Sequence, residues 1–319
     1  MHLSVLRPAC LPILLALAIP IAAPAGASAT TLTAAGIMST FNVVTATSLT
    51  TTSDVEGSAV IGTSLSGGTF FNNDVPANPV VDLYGTQSGG TTLDTGALYY
   101  QQIAGSVQLN GGATKQQGNW PNALTDFLNP LNLLSQQLST QLQQAGNTIT
   151  VANNNITFNA TSATSNGIAY FDLTAAQFTA YFNEQNNPVS NYKYTFGSGV
   201  TSIVVNVDGT PTLPQINQNT IEQNVLFNFY DATSVSLYSW ETAVLAPDAA
   251  ATLPGSPFDG FIYAQSISTG AEIHNYAYTG NLPPPPSGVP EPASLTLAAA
   301  GLATLGVIRR TRRTAATSR

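Results

Sequence analysis

The segment that decides the fold is Asn224-Val225-Leu226-Phe227-Asn228-Phe229, a short apolar run between polar stretches. Similar runs lie on either side of it, at Ile203 to Val207, Val244 to Ala246 and Phe261 to Ala264. The run centres Val204, Val225, Val244 and Ile262 are 21, 19 and 18 residues apart. Short runs bounded by turn residues predict β-strands, and a recurrence near twenty residues is typical of the coils of a β-solenoid. A β-sandwich also has regularly spaced strands, so the spacing leaves it open as an alternative.

Two further runs, Phe41 to Val44 and Val55 to Ile61, predict strands near the start of the body. Between the two halves, leucines and one phenylalanine recur at three- and four-residue steps from Leu124 to Leu142. This periodicity predicts an amphipathic helix. We expect Pro130 to divide it into a short turn and a main helix capped by Asn129, with a stop at Gly146-Asn147.

The apolar stripe of this helix is one-sided, which predicts packing along the protein's own β-core. Binding of a partner by the helix is the alternative. A second, shorter helix is predicted from Thr174 to Phe182, after a strand from Ile168 to Leu173.

The charge distribution excludes one large class of functions. Only 8% of the 319 residues are charged. Residues 30–288 hold two lysines and no arginine against 15 carboxylates, which gives this body a net charge of −13. Such a surface cannot bind a phosphate backbone through a basic patch, so we exclude nucleic acid as a partner. Solubility from uncharged polar residues instead favours an extracellular β-rich protein.

The inventory of reactive residues is small. Cys10 is the only cysteine, and His2 and His274 are the only histidines. The body therefore has no disulfide, no thiolate chemistry and no histidine-rich metal site. Two candidate pairs share a strand face by alternation, Asp54 with Glu56 and Glu272 with His274. We interpret both pairs as structural and predict no catalytic, cofactor-binding or metal-binding residue.

Carboxylates and carbonyls suit a hard cation such as calcium. Asn206-Val207-Asp208-Gly209 is only a fragment of a calcium loop, so calcium stays unassigned.

The N-terminus has the features of a secretory signal peptide over residues 1–29. Arg7 precedes the apolar stretch from Leu11 to Ala23, and Ala27-Ser28-Ala29 forms a small-residue cleavage site. These features predict export and a mature chain that starts near Thr30. An uncleaved membrane anchor is the alternative, but the apolar run is short and contains prolines.

The C-terminus consists of a linker, a short motif, an apolar stretch and a basic cluster, in that order. Residues 282–288 form a proline-rich linker, and the string Val289, Pro290, Glu291, Pro292 comes next. An apolar stretch, Ala293 to Ile308, is closed by a basic membrane stop at Arg309, Arg310, Arg312 and Arg313, with a tail over 314–319. A permanent tail anchor would use the same layout.

Together, residues 289–313 resemble the PEP-CTERM sorting signal. The resemblance implies transient insertion into the inner membrane, processing by an exosortase near the Pro-Glu-Pro string, and release to the envelope surface of a Gram-negative bacterium. It leaves open whether the apolar helix is removed or retained.

Several strings of the body carry a second resemblance. They are Asp54-Val55-Glu56-Gly57-Ser58, Asn224 to Ser234, Ala243 to Ala249, Asp259 to Ala264 and Gly270 to Asn275. In this order, the strings are similar to the choice-of-anchor A family of bacterial adhesive domains, over residues 30–281. Family members commonly have a second glycine where Ser58 stands. The resemblance implies a mainly β fold, a right-handed parallel β-helix with one long α-helix packed alongside.

The functional expectation is a secreted adhesive or structural protein of the cell surface or exopolysaccharide matrix, without enzymatic activity. Exopolysaccharide or surface glycans are the expected partners, and tyrosines could stack on sugars, namely Tyr99, Tyr100, Tyr192, Tyr194, Tyr276 and Tyr278. An ice-binding-like solenoid is one alternative, although threonine groups such as Thr50-Thr51-Thr52 are not expected to recur at coil spacing. A polysaccharide-acting β-helix enzyme is the other alternative, with Asp54 and Glu56 as its carboxylates.

Overall fold

Parallel strand pairing dominates the computed structural model, which describes residues 32–152, 155–182, 191–212 and 221–285. The strands are β1 (Phe41–Thr45), β2 (Ser48–Val55), β3 (Ser58–Ile61), β4 (Ser64–Phe70), β5 (Val80–Ser88), β6 (Gly90–Leu93), β7 (Ala97–Ile103), β8 (Ser106–Leu109), β9 (Thr114–Gln117), β10 (Thr148–Ala152), β11 (Asn155–Ala160), β12 (Ile168–Thr174), β13 (Asn191–Phe196), β14 (Ser202–Asp208), β15 (Glu222–Asn228), β16 (Ser234–Ser236), β17 (Thr242–Leu253), β18 (Phe258–Asp259), β19 (Ile262–Thr269) and β20 (Ile273–His274). The helices are α1 (Ala34–Thr40), α2 (Leu124–Ser139) and α3 (Ala175–Phe182).

The mainly β class and a solenoid-like parallel sheet are confirmed. The runs that predicted the fold pair in register, with Ile203 beside Val225, Phe227 beside Val244 and Val244 beside Ile262. The hand of the coil stays a prediction.

The coils do not stack in chain order. Strand β1 lies between β19 and β3, so Val43 pairs with Ile262 on one side and with Ala59 on the other. One ladder therefore runs through β12, β14, β15, β17, β19, β1, β3, β5, β7 and β9. The first coil of the body closes onto the last one, and the two halves of the chain form one continuous stack.

Alternation along this ladder produces two apolar clusters. Side chains such as Val43, Ala59 and Ile262 point into the coil and form the inner core. Their neighbours Val44 and Tyr263 point outward and pack beneath α1 and α2. Both layers are fully buried, which is why these strands are apolar without interruption.

Helix α2 departs from the predicted boundaries. It runs without a break from Leu124 to Ser139 with Pro130 in its interior, so the predicted turn before Pro130 is wrong. The helix also ends seven residues before Gly146. Burial explains its persistence through a proline, because Phe127, Leu131, Leu134 and Leu138 anchor one face on the outer layer of the sheet.

An asparagine ladder holds α2 in place. Asn206 and Asn228 are neighbours in register, and Asn228 Nδ2 donates to Asn206 Oδ1 at 3.0 Å. Asn228 Nδ2 also donates to the Ser135 carbonyl oxygen at 3.0 Å, and Asn206 Nδ2 donates to the Leu138 carbonyl oxygen at 2.8 Å. The polar side chains that interrupt these apolar strands thus bind the backbone of the helix.

Two other segments differ from or refine the sequence prediction. Helix α3 begins at Ala175, and Thr174 caps it by accepting from the Gln177 amide at 3.2 Å. The run from Val55 to Ile61 is not one strand, because the chain turns at Glu56-Gly57 between β2 and β3. A Cβ at Gly57 would lie 1.8 Å from Asn42 Oδ1, so only glycine fits this turn.

None of the helices within the described residues is long and apolar enough to cross a membrane.

Candidate functional site

A regular array of hydroxyl groups occupies the face of the coil formed by β16, β17, β19, β2, β4 and β5. In these strands the inward residues are buried and almost all apolar: Val235, Ala251, Ile267, Leu49, Leu65 and the polar exception Gln87. The residues on either side of them point outward because strand side chains alternate.

The outward residues form two parallel rows. The first row is Ser234, Ala250, Ser266, Ser48, Ser64 and Thr86, and the second is Ser236, Thr252, Ser268, Thr50, Ser66 and Ser88. All of these residues are exposed or half-buried, and all except Ala250 are serine or threonine. We call this surface the hydroxyl face.

The geometry of the hydroxyl face follows from the sheet. Neighbouring strands lie about 4.8 Å apart and residues two positions apart in a strand about 6.7 Å apart, so the hydroxyls form a regular two-dimensional grid. The rows contain no charged and no aromatic side chain. Such a grid offers neutral donors and acceptors together with threonine methyl groups.

The sequence analysis considered threonine alone and missed the recurrence of serine and threonine together at coil spacing. Thr50 lies beside Ser268 in the second row, although the two residues are far apart in the chain. The rows become visible only once β2 is placed between β19 and β4, and they contain eight serines and three threonines.

A second polar cluster surrounds His274 at the end of the last coil. Its Nε2 lies 3.2 Å from Glu272 Oε2, so the alternation did place these two side chains together. Its Nδ1 is hydrogen-bonded to Asp259, a partner that the sequence analysis missed because β18 and β20 pair across 15 residues. The hydrogen bond to Asp259 raises the pKa of His274 to about 9, against an opposing effect of burial. Both ring nitrogens are thus bound by carboxylates, as in a structural ion pair.

The carboxylates proposed as an enzyme pair have separate partners. Asp54 Oδ2 accepts a hydrogen bond from Asn72 Nδ2, whereas Glu56 Oε2 accepts from the Asn275 amide at 3.3 Å. Glu56 is also buried. The two carboxylates thus bind different parts of the chain, and their structural interpretation stays a prediction.

The tyrosines divide by burial. Tyr192 and Tyr278 are fully buried and cannot stack on a sugar, whereas Tyr99, Tyr100 and Tyr276 are half-buried. Across the described part of the chain, no group of three or more His, Asp or Glu side chains is arranged to hold a metal ion.

A shallow pocket lies beside the C-terminal end of α2 and is lined by Asp172, Asp208 and Tyr230 among others. Asp172 is already bound, since it accepts from Asn206 Nδ2 at 3.0 Å and from the Gln143 amide at 2.6 Å. Burial and Asp208 raise the pKa of Tyr230 to about 12.

The predicted sorting and processing residues lie outside the described residues. They are Ala27, Ala29, Val289, Pro290, Glu291, Pro292, Arg309, Arg310, Arg312 and Arg313.

Comparison with known families gives two matches. The model described as "Putative Ice-binding-like adhesive domain" matches residues 34–275, and the model of the PEP-CTERM protein-sorting motif matches residues 288–313. Neither the curated proteins nor the solved structures contain a match. The two family matches describe an adhesive-type domain joined to a signal for exosortase-directed sorting to the bacterial cell surface.

Proposed function

Because the chain belongs to the ice-binding-like adhesive domain family, we propose that its body binds polysaccharide through the hydroxyl face. The protein then acts as an adhesive or structural component of the cell surface or exopolysaccharide matrix. The observation that carries this proposal is the grid of neutral hydroxyls along the coil stack, in which only the Ala250 position lacks a hydroxyl.

The chemistry of the grid suits a repetitive, uncharged ligand. A single hydroxyl contact with a sugar is weak because water competes for both partners. A polymer whose own hydroxyls repeat can make many such contacts at once, which raises the overall affinity without any deep pocket. The body's net charge of −13 does not oppose this binding, since the two rows themselves carry no charge.

Delivery to the surface is part of the same proposal. Residues 1–29 direct export, and the apolar segment Ala293 to Ile308 holds the chain transiently in the inner membrane. An exosortase then processes the chain near Val289 to Pro292. The family layout also leads us to propose a right-handed coil with α2 laid along it.

Intact-mass measurement in strains with and without the exosortase tests the delivery route. We expect the arginines at 309–313 to be lost only when the enzyme is present. Retention of this tail in both strains would mean a permanent tail anchor.

The body is proposed to act without catalysis. Two lysines and one histidine leave few groups to stabilise an anionic transition state, and Glu56 is bound to the Asn275 amide. Turnover of any glycan that disappears in Asp54→Asn or Glu56→Gln would overturn this part.

Charged substitutions within the hydroxyl face test the binding site. Thr50→Lys and Ser268→Lys place long side chains at neighbouring points of the grid, so the double variant should lose at least tenfold in retention on purified exopolysaccharide and on a glycan array. Gln136→Lys, at an exposed position of α2, is the matched control and should bind like the wild type. Equal binding by the double variant, or equal loss in the control, would remove the hydroxyl face as the site.

Ice is the second candidate ligand, favoured by the same recurrence of Thr and Ser at coil spacing. Inhibition of ice recrystallisation that is lost in the Thr50→Lys, Ser268→Lys variant, without any glycan binding, would select this candidate.

A further inference from the structure

The two lysines of the body both lie on strands at the edge of a sheet. Lys115 is in β9, which pairs with β7 on one side only within the described residues. Lys115 pairs with Leu98 of β7, which in turn pairs with Val81 of β5. Leu98 and Val81 point into the coil, so Lys115 occupies an inward position that is apolar in the preceding coils. A charge that points inward on an edge strand prevents another strand from adding to it.

Lys193 lies on an edge strand of the second, three-stranded sheet, which we call the small sheet. This sheet has the order β10, β11, β13, and Lys193 of β13 is exposed opposite Thr157 of β11. One outer edge of the small sheet therefore also carries a lysine.

The β12 edge at the other end of the coil stack is covered by side chains instead. Gln144 Oε1 accepts from the Tyr170 amide at 2.8 Å, and Asn147 Nδ2 donates to the Tyr170 carbonyl oxygen at 3.3 Å. Gln143 Oε1 accepts from the Asp172 amide at 3.2 Å. These contacts satisfy backbone groups that another strand would otherwise bind.

Strand β10 has neither form of protection. Its sequence, Thr148-Ile149-Thr150-Val151-Ala152, is uncharged and rich in β-branched residues, and no described strand pairs with its outer edge. Ile149 and Val151 pack on the inner core, while Thr148, Thr150 and Ala152 are exposed. An unprotected edge of this composition is a template for a further strand.

The charge distribution indicates that a second copy of the chain is the partner. Residues 127–171 contain no charged side chain, and Lys193 lies nearby in the same sheet. Two bodies of net charge −13 repel each other over most of their surfaces, but the hairpin formed by β10 and β11 carries no charge of its own. No like charges on the hairpin itself therefore oppose the approach of a second copy at the unpaired edge.

From these observations we propose that the protein forms a symmetric dimer in which β10 pairs with β10 of a second copy. The pairing is antiparallel about a twofold axis at Thr150, and the two three-stranded sheets join into one of six strands. Such an isologous contact uses the same patch on both copies and closes after two. It is independent of the ligand bound by the hydroxyl face.

Disulfide trapping tests the register. The body has no cysteine, so an introduced thiol can bond only to its copy or to added reagent. In the proposed dimer residue 150 faces itself across the axis, within the Cα separation that a disulfide accepts. Thr150→Cys should therefore form a covalent dimer under mild oxidation. Thr252→Cys, which is exposed on the hydroxyl face, is the matched control and should form no covalent dimer.

Mass measurement in solution provides the second test. The secreted wild-type protein should have the mass of a dimer by light scattering, and Thr150→Lys should have the mass of a monomer with an unchanged circular dichroism spectrum. Thr252→Lys should remain a dimer. A monomeric wild type, or equal crosslinking of the two cysteine variants, would overturn the proposal.

Discussion

A buried carboxyl group beneath the helical layer has an energetic cost at neutral pH. Asp82 is 2% exposed, and its Oδ1 has no hydrogen-bond partner among the described residues. It points outward between Val60 and Tyr99 of the neighbouring strands. Burial raises its pKa from 3.8 to about 6.

The pKa of Asp82 predicts the effect of neutralising it. Because the folded-state pKa of Asp82 is raised, the contribution of its protonated form to the free energy of unfolding is fully present below pH 3.8. This contribution is lost as the pH rises through about 6. We expect Asp82→Asn to increase the free energy of unfolding at pH 7 by about 1–2 kcal/mol and to have little effect near pH 3.5. Urea denaturation at both pH values measures this, with exposed Asp248→Asn as the control. An equal effect at both pH values would contradict the explanation.

His274 gives the opposite case, in which ionisation stabilises the fold. Its pKa is raised from 6.5 to about 9 by Asp259, so the stabilisation is complete below pH 6.5 and is lost as the pH rises through 9. The side chains of His274 and Asp259 are 26% and 10% exposed, which reduces the effect to about 1–2 kcal/mol.

We therefore expect the urea midpoint of the wild type to fall between pH 6 and pH 9.5, and that of His274→Gln to change much less. Asp259→Asn should flatten the profile in the same way. A steep fall that persists in both variants would place the titrating group elsewhere.

Helix α2 shows how a secondary-structure element survives an unfavourable residue. Pro130 cannot donate an intrahelical hydrogen bond, yet the helix continues because tertiary contacts fix both of its halves. The ring of Phe127 packs against Phe41 with centroids 5.3 Å apart, and the asparagine ladder holds the residues beyond Pro130.

The asparagine ladder makes a quantitative prediction for this helix. Asn228→Ala leaves the buried Ser135 hydroxyl and Asn206 Oδ1 without their partner. Buried polar groups without partners cost about 1–3 kcal/mol, so we expect the free energy of unfolding to fall by about that amount. Gln136→Ala, at an exposed position of the same helix, should change it by less than about 0.5 kcal/mol. Similar losses in the two variants would show that the ladder is not what holds α2.

The placement of β1 predicts that the whole body unfolds as one unit. Trp120 lies beside Tyr84 in the N-terminal stack of coils, and Trp240 lies in the C-terminal stack. Fluorescence of Trp240→Phe and Trp120→Phe therefore reports each stack separately. Both variants should show transitions of the same shape, and Val43→Ala should lower both midpoints, because Val43 is fully buried between Ile262 and Ala59. A shift confined to one tryptophan would mean that the stacks unfold independently.

The sequence predicted those strands that pair between coils adjacent in the chain. Strands β14, β15, β17 and β19 follow from the spacing of apolar runs, since each strand pairs with the next one in the chain. The spacing contains no information about which coil ends meet, so neither the position of β1 nor the hydroxyl rows could be read from it. The unbroken helix through Pro130 and the Asp259 partner of His274 depend on tertiary contacts for the same reason.

The closure of the first coil onto the last one also sets the timing of folding under the proposed export route. Asn42 binds the Gly260 carbonyl, 218 residues later in the chain. A chain that crosses the membrane from its N-terminus would deliver these two residues at opposite ends of translocation. Contacts of such long range form slowly, so the N-terminal coils would wait outside the membrane with one open edge until the last coil arrives. The same topology that unites the finished stack would thus delay completion of the fold until the whole body has crossed.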